Sequence, residues 1–92
     1  MTTATILEYL EQNYQDEELL LADGFEDAIL GVVEGGTRGP VVCYDYELCV
    51  KILVAKGMEE EVAFEWMDFN VLGAYVGEKT PLFLHDWRRR EE

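Results

Sequence analysis

Cys43, Cys49 and His85 have the widest chemical range in this sequence, since a thiol and an imidazole can form a nucleophile–base pair. A Cys43–His85 dyad requires the strand holding Cys43 to lie beside the strand ending at His85, and an electropositive setting to ionise the thiol. There is no serine and no second histidine, which leaves little else for nucleophilic catalysis. The two cysteines have one pairing with each other. Cys43 at a strand end and Cys49 in the first turn of the next helix read instead as reduced, buried thiols. Asp23, Asp27 and Asp45 are candidates for general acid–base work, which needs a concave pocket joining at least two of them.

Two loop patterns imitate ligand sites and fail on detail. Gly31 followed by Gly36-Thr37 has the spacing of a phosphate-binding loop, but it lacks the lysine and the strand-to-helix context. Asp23-Gly24 has the turn of a calcium loop, but Leu19 and Leu21 occupy the preceding ligand positions and Ile29 replaces the required glutamate. The sequence therefore predicts no catalytic residue, no cofactor and no metal site, and no enzyme.

Charge is the strongest compositional signal: 20 acidic against 7 basic residues leave −13 at pH 7. Every charged residue before Arg38 is acidic, while Arg88, Arg89 and Arg90 gather in the tail. Such a field keeps a chain in solution, repels nucleic acid and anionic lipid, and attracts basic protein surfaces. The aromatic set Tyr44, Tyr46, Phe64, Trp66, Phe69, Tyr75, Phe83 and Trp87 exceeds what two short helices need for a core, which leaves rings for an interface. The candidate partner-binding residues are Glu8, Glu11, Asp16, Glu17, Glu18, Asp23, Glu26 and Asp27, with Tyr46, Phe64 and Tyr75. The expected partner is a protein with a basic surface, with no direct contact to nucleic acid or membrane. A homodimer is left open.

The elements that must position these residues follow from local pattern. Leu7, Leu10 and Tyr14 at helical spacing predict a first helix from a Thr3 cap to about Gln12. Asp16 is placed to cap one further turn over Glu17 to Ala22, ended by Asp23-Gly24. Ala28 to Glu34 reads as a strand buried on both faces, with Gly31 at a bulge or close approach. The glycine-rich stretch 35–40 reads as a hairpin loop to an antiparallel strand, Val41 to Tyr44. Asp45 suits the cap of a helix to Lys56 with Leu48, Ile52 and Leu53 inward and Gly57 as its stop. A second helix, Glu60 to Asn70, buries Val62, Ala63, Trp66, Met67 and Val71, with Phe64 and Phe69 on another side; it is apolar over more than half its circumference. Pro81 to His85 reads as a third strand, with Leu82 and Leu84 on one face and Phe83 and His85 on the other.

The expected architecture is α+β: a small, mainly antiparallel three-stranded sheet with helices packed on it, in the order α-β-β-α-α-β. At 92 residues the chain fits one domain, with an acidic helix at 1–15 and a frayed charged tail at 86–92. Apolar runs are no longer than the four residues Leu19 to Ala22, far below the ~20 residues that span a bilayer, and the N-terminus lacks a signal-peptide pattern. A soluble, cytoplasmic protein is expected.

The stretches Asp23 to Gly31, Tyr44-Asp45-Tyr46 with Cys49, Gly57-Met58, and Phe69-Asn70-Val71 through Gly73-Ala74-Tyr75-Val76-Gly77-Glu78 to Thr80-Pro81 resemble a family of small, uncharacterised proteins of tailed bacteriophages and prophages. A serine commonly follows the Gly-Met pair there as a helix cap, where this chain has Glu59. The acidic N-terminal helix and the arginine tail lie outside the likeness. The resemblance implies a phage or mobile-element origin and assigns no activity. With the charge, it leads to the expectation of a non-enzymatic accessory protein that binds a host protein and inhibits a nucleic-acid-handling or anti-phage defence enzyme, in the manner of an anti-CRISPR protein or a DNA mimic. The alternatives are a self-associating structural or regulatory module using the aromatic surface and a small carboxylate-based enzyme.

Overall fold

A computed structural model describes residues 3–36, 38–72 and 77–88. The elements are α1 (Thr3–Asn13), β1 (Ile29–Gly35), β2 (Arg38–Asp45), α2 (Tyr46–Ala55), α3 (Glu60–Trp66) and β3 (Leu82–Leu84). A 3-10 turn at Glu26–Ala28 precedes β1, and a π-helical segment, Met67–Leu72, continues α3. The fold is α+β in the order expected from the sequence. β2 is the central strand, antiparallel to β1 and parallel to β3. The second pairing is parallel because α2 and α3 carry the chain across before β3 returns beside β2.

Two-sided burial belongs to β2 and not to β1. Val41, Val42, Tyr44 and Asp45 are all buried, whereas β1, an edge strand, leaves Leu30, Val33 and Glu34 exposed. β1 steps from Ile29, opposite Tyr44, to Gly31, opposite Cys43, so Leu30 is the extra residue of a bulge. Nothing lies within 4 Å of where a Gly31 Cβ would stand, which makes this a bulge glycine and not a close approach. The hairpin is tighter than expected, since Gly35 already pairs with Arg38.

α2 is bounded by the signals the sequence offers. The Asp45 carboxylate accepts the Leu48 N–H at 3.2 Å. At the other end Gly57, at φ +113°, donates to the Val54 carbonyl while Met58 donates to Leu53, the double bond that closes a helix on a glycine. The buried stripe is Tyr46, Cys49, Val50 and Leu53; Leu48 and Ile52 are only half-buried and Ala55 is exposed. Those four fall at i, i+3, i+4 and i+7, so the inward face starts at Tyr46, one position after the cap, and not at Leu48. Asp45→Ala is expected to lower stability by about 1 kcal/mol or more, and Asp45→Asn by much less, since asparagine caps as well; urea midpoints report both.

The extra turn expected over Glu17 to Ala22 does not form. A helix there would commit the Ala22 N–H to the Glu18 carbonyl; instead it donates to the Tyr44 hydroxyl at 2.6 Å. Tyr44 is fully buried and stacks on Phe83 of β3, with centroids 5.3 Å apart. The segment is therefore tied to β2 at Ala22 without regular structure. Leu82 and Leu84 are exposed and Phe83 is turned inward, the alternation expected for β3. In the tail, Arg88 forks onto Asp86 through Nε and Nη2, each at 3.0 Å, so its first residues form a local turn. Positions 89–92 lie outside the described residues.

Candidate functional site

α1 packs Ile6, Leu7 and Leu10 against the core, which turns Glu8 and Glu11 outward. The following segment, tied at Ala22, exposes Asp16, Glu17, Glu18, Asp23 and Asp27 and leaves Glu26 half-buried. Glu17 is partnered within the chain: Lys79 Nζ stands 2.8 Å from its Oε2 and also donates to the Pro40 carbonyl at 3.2 Å. An exposed pair of this kind adds little stability, but it removes Glu17 from the carboxylates that face outward alone. Of these carboxylates in the N-terminal third, all but Glu26 are exposed.

The aromatic residues are distributed differently from expectation. Tyr46 is only 5% exposed and is no surface anchor. Its hydroxyl donates to Asp68 Oδ1 at 3.0 Å, and its ring lies 6.0 Å from Phe64 and 4.1 Å from His85. Phe64 is exposed, and Tyr75 lies outside the described residues. Val62 and Trp66, expected inside, are exposed; Trp66 keeps one edge near Phe25, with centroids 6.3 Å apart. The buried line of this helix is Ala63 and Met67, with Val71 half-buried at the next i+4 step in the wider π turn.

That rotation creates a surface the sequence reading missed. Val62, Trp66 and Phe69 recur at i, i+4 and i+7 on the outer side, with Phe69 82% exposed. Glu61, Glu65 and Asp68 run one position behind them as an acidic stripe of the same spacing, all exposed. Val62, Trp66 and Phe69, with Glu65 and Asn70, line a shallow depression of about 220 Å³. Once packing fixes Ala63 and Met67 inward, positions 62, 66 and 69 must face elsewhere, a choice that the apolar pattern of the helix alone does not make.

The catalytic alternatives receive no assembled site. β2 and β3 are neighbours, as the Cys43–His85 dyad requires, but Cys43 is in register with Leu82, and His85 packs on Tyr46. Both cysteines are free thiols. Burial, with Asp45 second, raises Cys43 and pushes Cys49 up to about 12, the reverse of nucleophile activation. Asp45 is buried as the cap of α2, while Asp23 and Asp27 are exposed. The cleft between Phe25, Trp66 and Phe83 includes Asp23 and neither of the others. Among the described residues, no three histidine, cysteine or carboxylate side chains are grouped to hold a metal ion. No described helix is long and apolar enough to cross a membrane.

Comparison of the chain with known protein families, curated proteins and solved structures gives no match. The chemistry of the surface therefore has to be read from its own residues. An apolar stripe edged by carboxylates can seat on a partner whose apolar groove is rimmed by lysine or arginine.

The buried hydroxyl and thiol make a separate prediction. Burial, then Asp68, raises Tyr46 from 10.0 to about 12, and burial, then Asp45, raises Cys49 from 9.0 to about 12. Below about pH 9 both groups are protonated in the folded and unfolded chain, so their contribution to stability is complete. Between pH 9 and 12 the unfolded chain ionises first and stability falls, more steeply above pH 10, where Tyr46 joins Cys49. The urea midpoint should drop between about pH 8 and about pH 10.5, and Cys49→Ala should flatten the first part of that drop. A midpoint constant across that range contradicts the burial of these groups.

Proposed function

We propose that this chain is a non-enzymatic accessory protein of a phage or mobile element that binds a basic host protein. Its contacts would be the acidic and apolar stripes of α3 and its π-helical continuation, supported by the carboxylate face of α1 and the following segment. The observation that carries this reading is Phe69, 82% exposed in line with Val62 and Trp66 and beside three carboxylates. A contiguous line of exposed apolar side chains marks a surface that a partner can cover, and aromatic side chains supply much of the binding energy at interfaces. The net charge of −13 selects a basic partner and speeds its approach. Nucleic-acid-handling and defence enzymes of the host cytoplasm offer such grooves, so inhibition by occupying one is the expected consequence. The phage origin rests on the sequence resemblance.

Capture from host lysate tests the reading when it is done across a salt series with wild-type protein and Phe69→Asp in parallel. A basic protein retained at low salt, released as salt rises and lost with the variant supports it; retention indifferent to both salt and Phe69 contradicts it.

Self-association through the same stripe is the second reading, favoured by the exposed apolar line. It must bring two copies of charge −13 together, which opposes it at low ionic strength. Sedimentation at micromolar concentration is expected to show a monomer, and a concentration-dependent dimer would favour this second reading.

A further inference from the structure

We propose that the recess between the start of α2, α3 and the end of β3 receives an arginine side chain of the basic partner, an inference that rests on the docking reading above and names the contact that orients the complex. The recess holds about 310 Å³ and is walled by the rings of Tyr46, Phe64 and His85, with Glu47 and Glu60 among its polar lining. It lies on the opposite flank of α3 from Val62 and Trp66, so the acidic stripe of Glu61, Glu65 and Asp68 runs between two attachment points.

Three features select a cation, and guanidinium in particular. First, three rings wall the recess: Tyr46 is buried against His85 at 4.1 Å and Phe64 at 6.0 Å, while Phe64 and His85 are themselves exposed, and a planar cation binds well over aromatic faces. Second, the Tyr46 hydroxyl donates to Asp68 at 3.0 Å, and a phenol that donates to a carboxylate has a more electron-rich ring. Third, the charge balance is negative. Lys51 and the positive ends of α2 and α3 oppose a cation, and each helix end is equivalent to roughly half a charge. Against them stand Glu47 and Glu60 in the lining, with Asp45 at the cap of α2 and Asp68 at the Tyr46 hydroxyl just outside it. The two lining glutamates outweigh the one ammonium, and Asp45 and Asp68 offset the half-charges of the helix ends. The volume suits a guanidinium with its methylene stem, which would lie along Val50 and Phe64 while the head meets the glutamates.

The test uses N-acetyl-arginine amide as the probe and N-acetyl-citrulline amide, its neutral near-isostere, as the control, followed by NMR of the His85 and Phe64 rings. Saturable shifts at both rings with the arginine probe, and none with citrulline, are expected. Phe64→Ala should weaken the probe by about five-fold, and Glu60→Gln should weaken it as well. Both positions are exposed, so the variants should keep the fold. Absence of a saturable shift, or an equal response to citrulline, overturns the proposal whether or not the protein captures a host protein. Probe binding in the recess by a protein that captures no basic partner would sink the docking reading and leave the recess as a guanidinium site.

Discussion

Tyr44→Ala is expected to lower the unfolding free energy by about 3–5 kcal/mol, the range for truncating a large buried ring. Tyr44 is fully buried on the central strand, stacks on Phe83 of β3 and accepts the Ala22 N–H at 2.6 Å. One side chain thereby joins the sheet, the returning strand and the irregular N-terminal segment. A small domain with a total stability of about 5–15 kcal/mol would be left marginal by such a loss. Tyr44→Phe separates the two functions of the residue. The ring stays, the Ala22 N–H loses its acceptor, and a cost of about 1–3 kcal/mol follows for the unsatisfied donor. Urea titration gives the magnitudes, and amide exchange at Ala22 shows whether the segment is released. A Tyr44→Phe variant with unchanged stability and unchanged exchange at Ala22 would remove the hydroxyl from the account of why residues 17–22 fail to form a helix.

Phe69→Ala is expected to do the opposite: leave stability within about 0.5 kcal/mol and weaken partner binding by about 2 kcal/mol or more, close to thirty-fold. The ring is 82% exposed, so truncation leaves no cavity. Phe69→Asp should abolish binding, because it removes the ring and would place a charge in the apolar groove of the partner. Calorimetry with the purified partner and thermal melts of the free protein separate the two effects. A variant that unfolds, or one that binds unchanged, contradicts the assignment of Phe69 to a surface contact.

Much of the fold was legible because its signals are local. Asp45 followed by an apolar helical stripe, Gly57 after Lys56, and the β-branched run at Ile29 to Val33 each carry their own mechanism, and each fell where expected within a residue or two. The failures share a different cause, partners far away in sequence. Residues 17–22 have a plausible cap and apolar run, yet the Tyr44 hydroxyl, 22 positions from Ala22, takes the N–H a helix would need. Tyr46 looked like a surplus ring, yet Asp68, again 22 positions away, gives its hydroxyl a partner and makes burial tolerable. The pairing of β3 parallel to β2 could not be read from three residues. The π turn after Trp66 likewise has no local signal, since nothing between Met67 and Leu72 distinguishes it in sequence from an ordinary α-helix.

The candidate site was half legible. The acidic residues of α1 and the following segment lie on the surface because charge forces them there, although Glu17 is claimed by Lys79. The apolar stripe was misplaced because a helix apolar over most of its circumference does not announce which face is inward. Ala63, the smallest apolar residue in the run, is fully buried with Met67 in the core, and Val62 and Trp66 are turned out.

The most direct test of the central claim is the salt dependence of the partner complex, measured for wild-type protein and for a Glu61→Gln, Glu65→Gln double variant. An acidic surface seated on a basic groove predicts affinity that falls steeply as salt rises, with a shallower slope and weaker low-salt binding for the variant. Equal slopes would show that the stripe is not the site of attachment, and a complex indifferent to salt or tightened by it would show that the charge serves solubility alone.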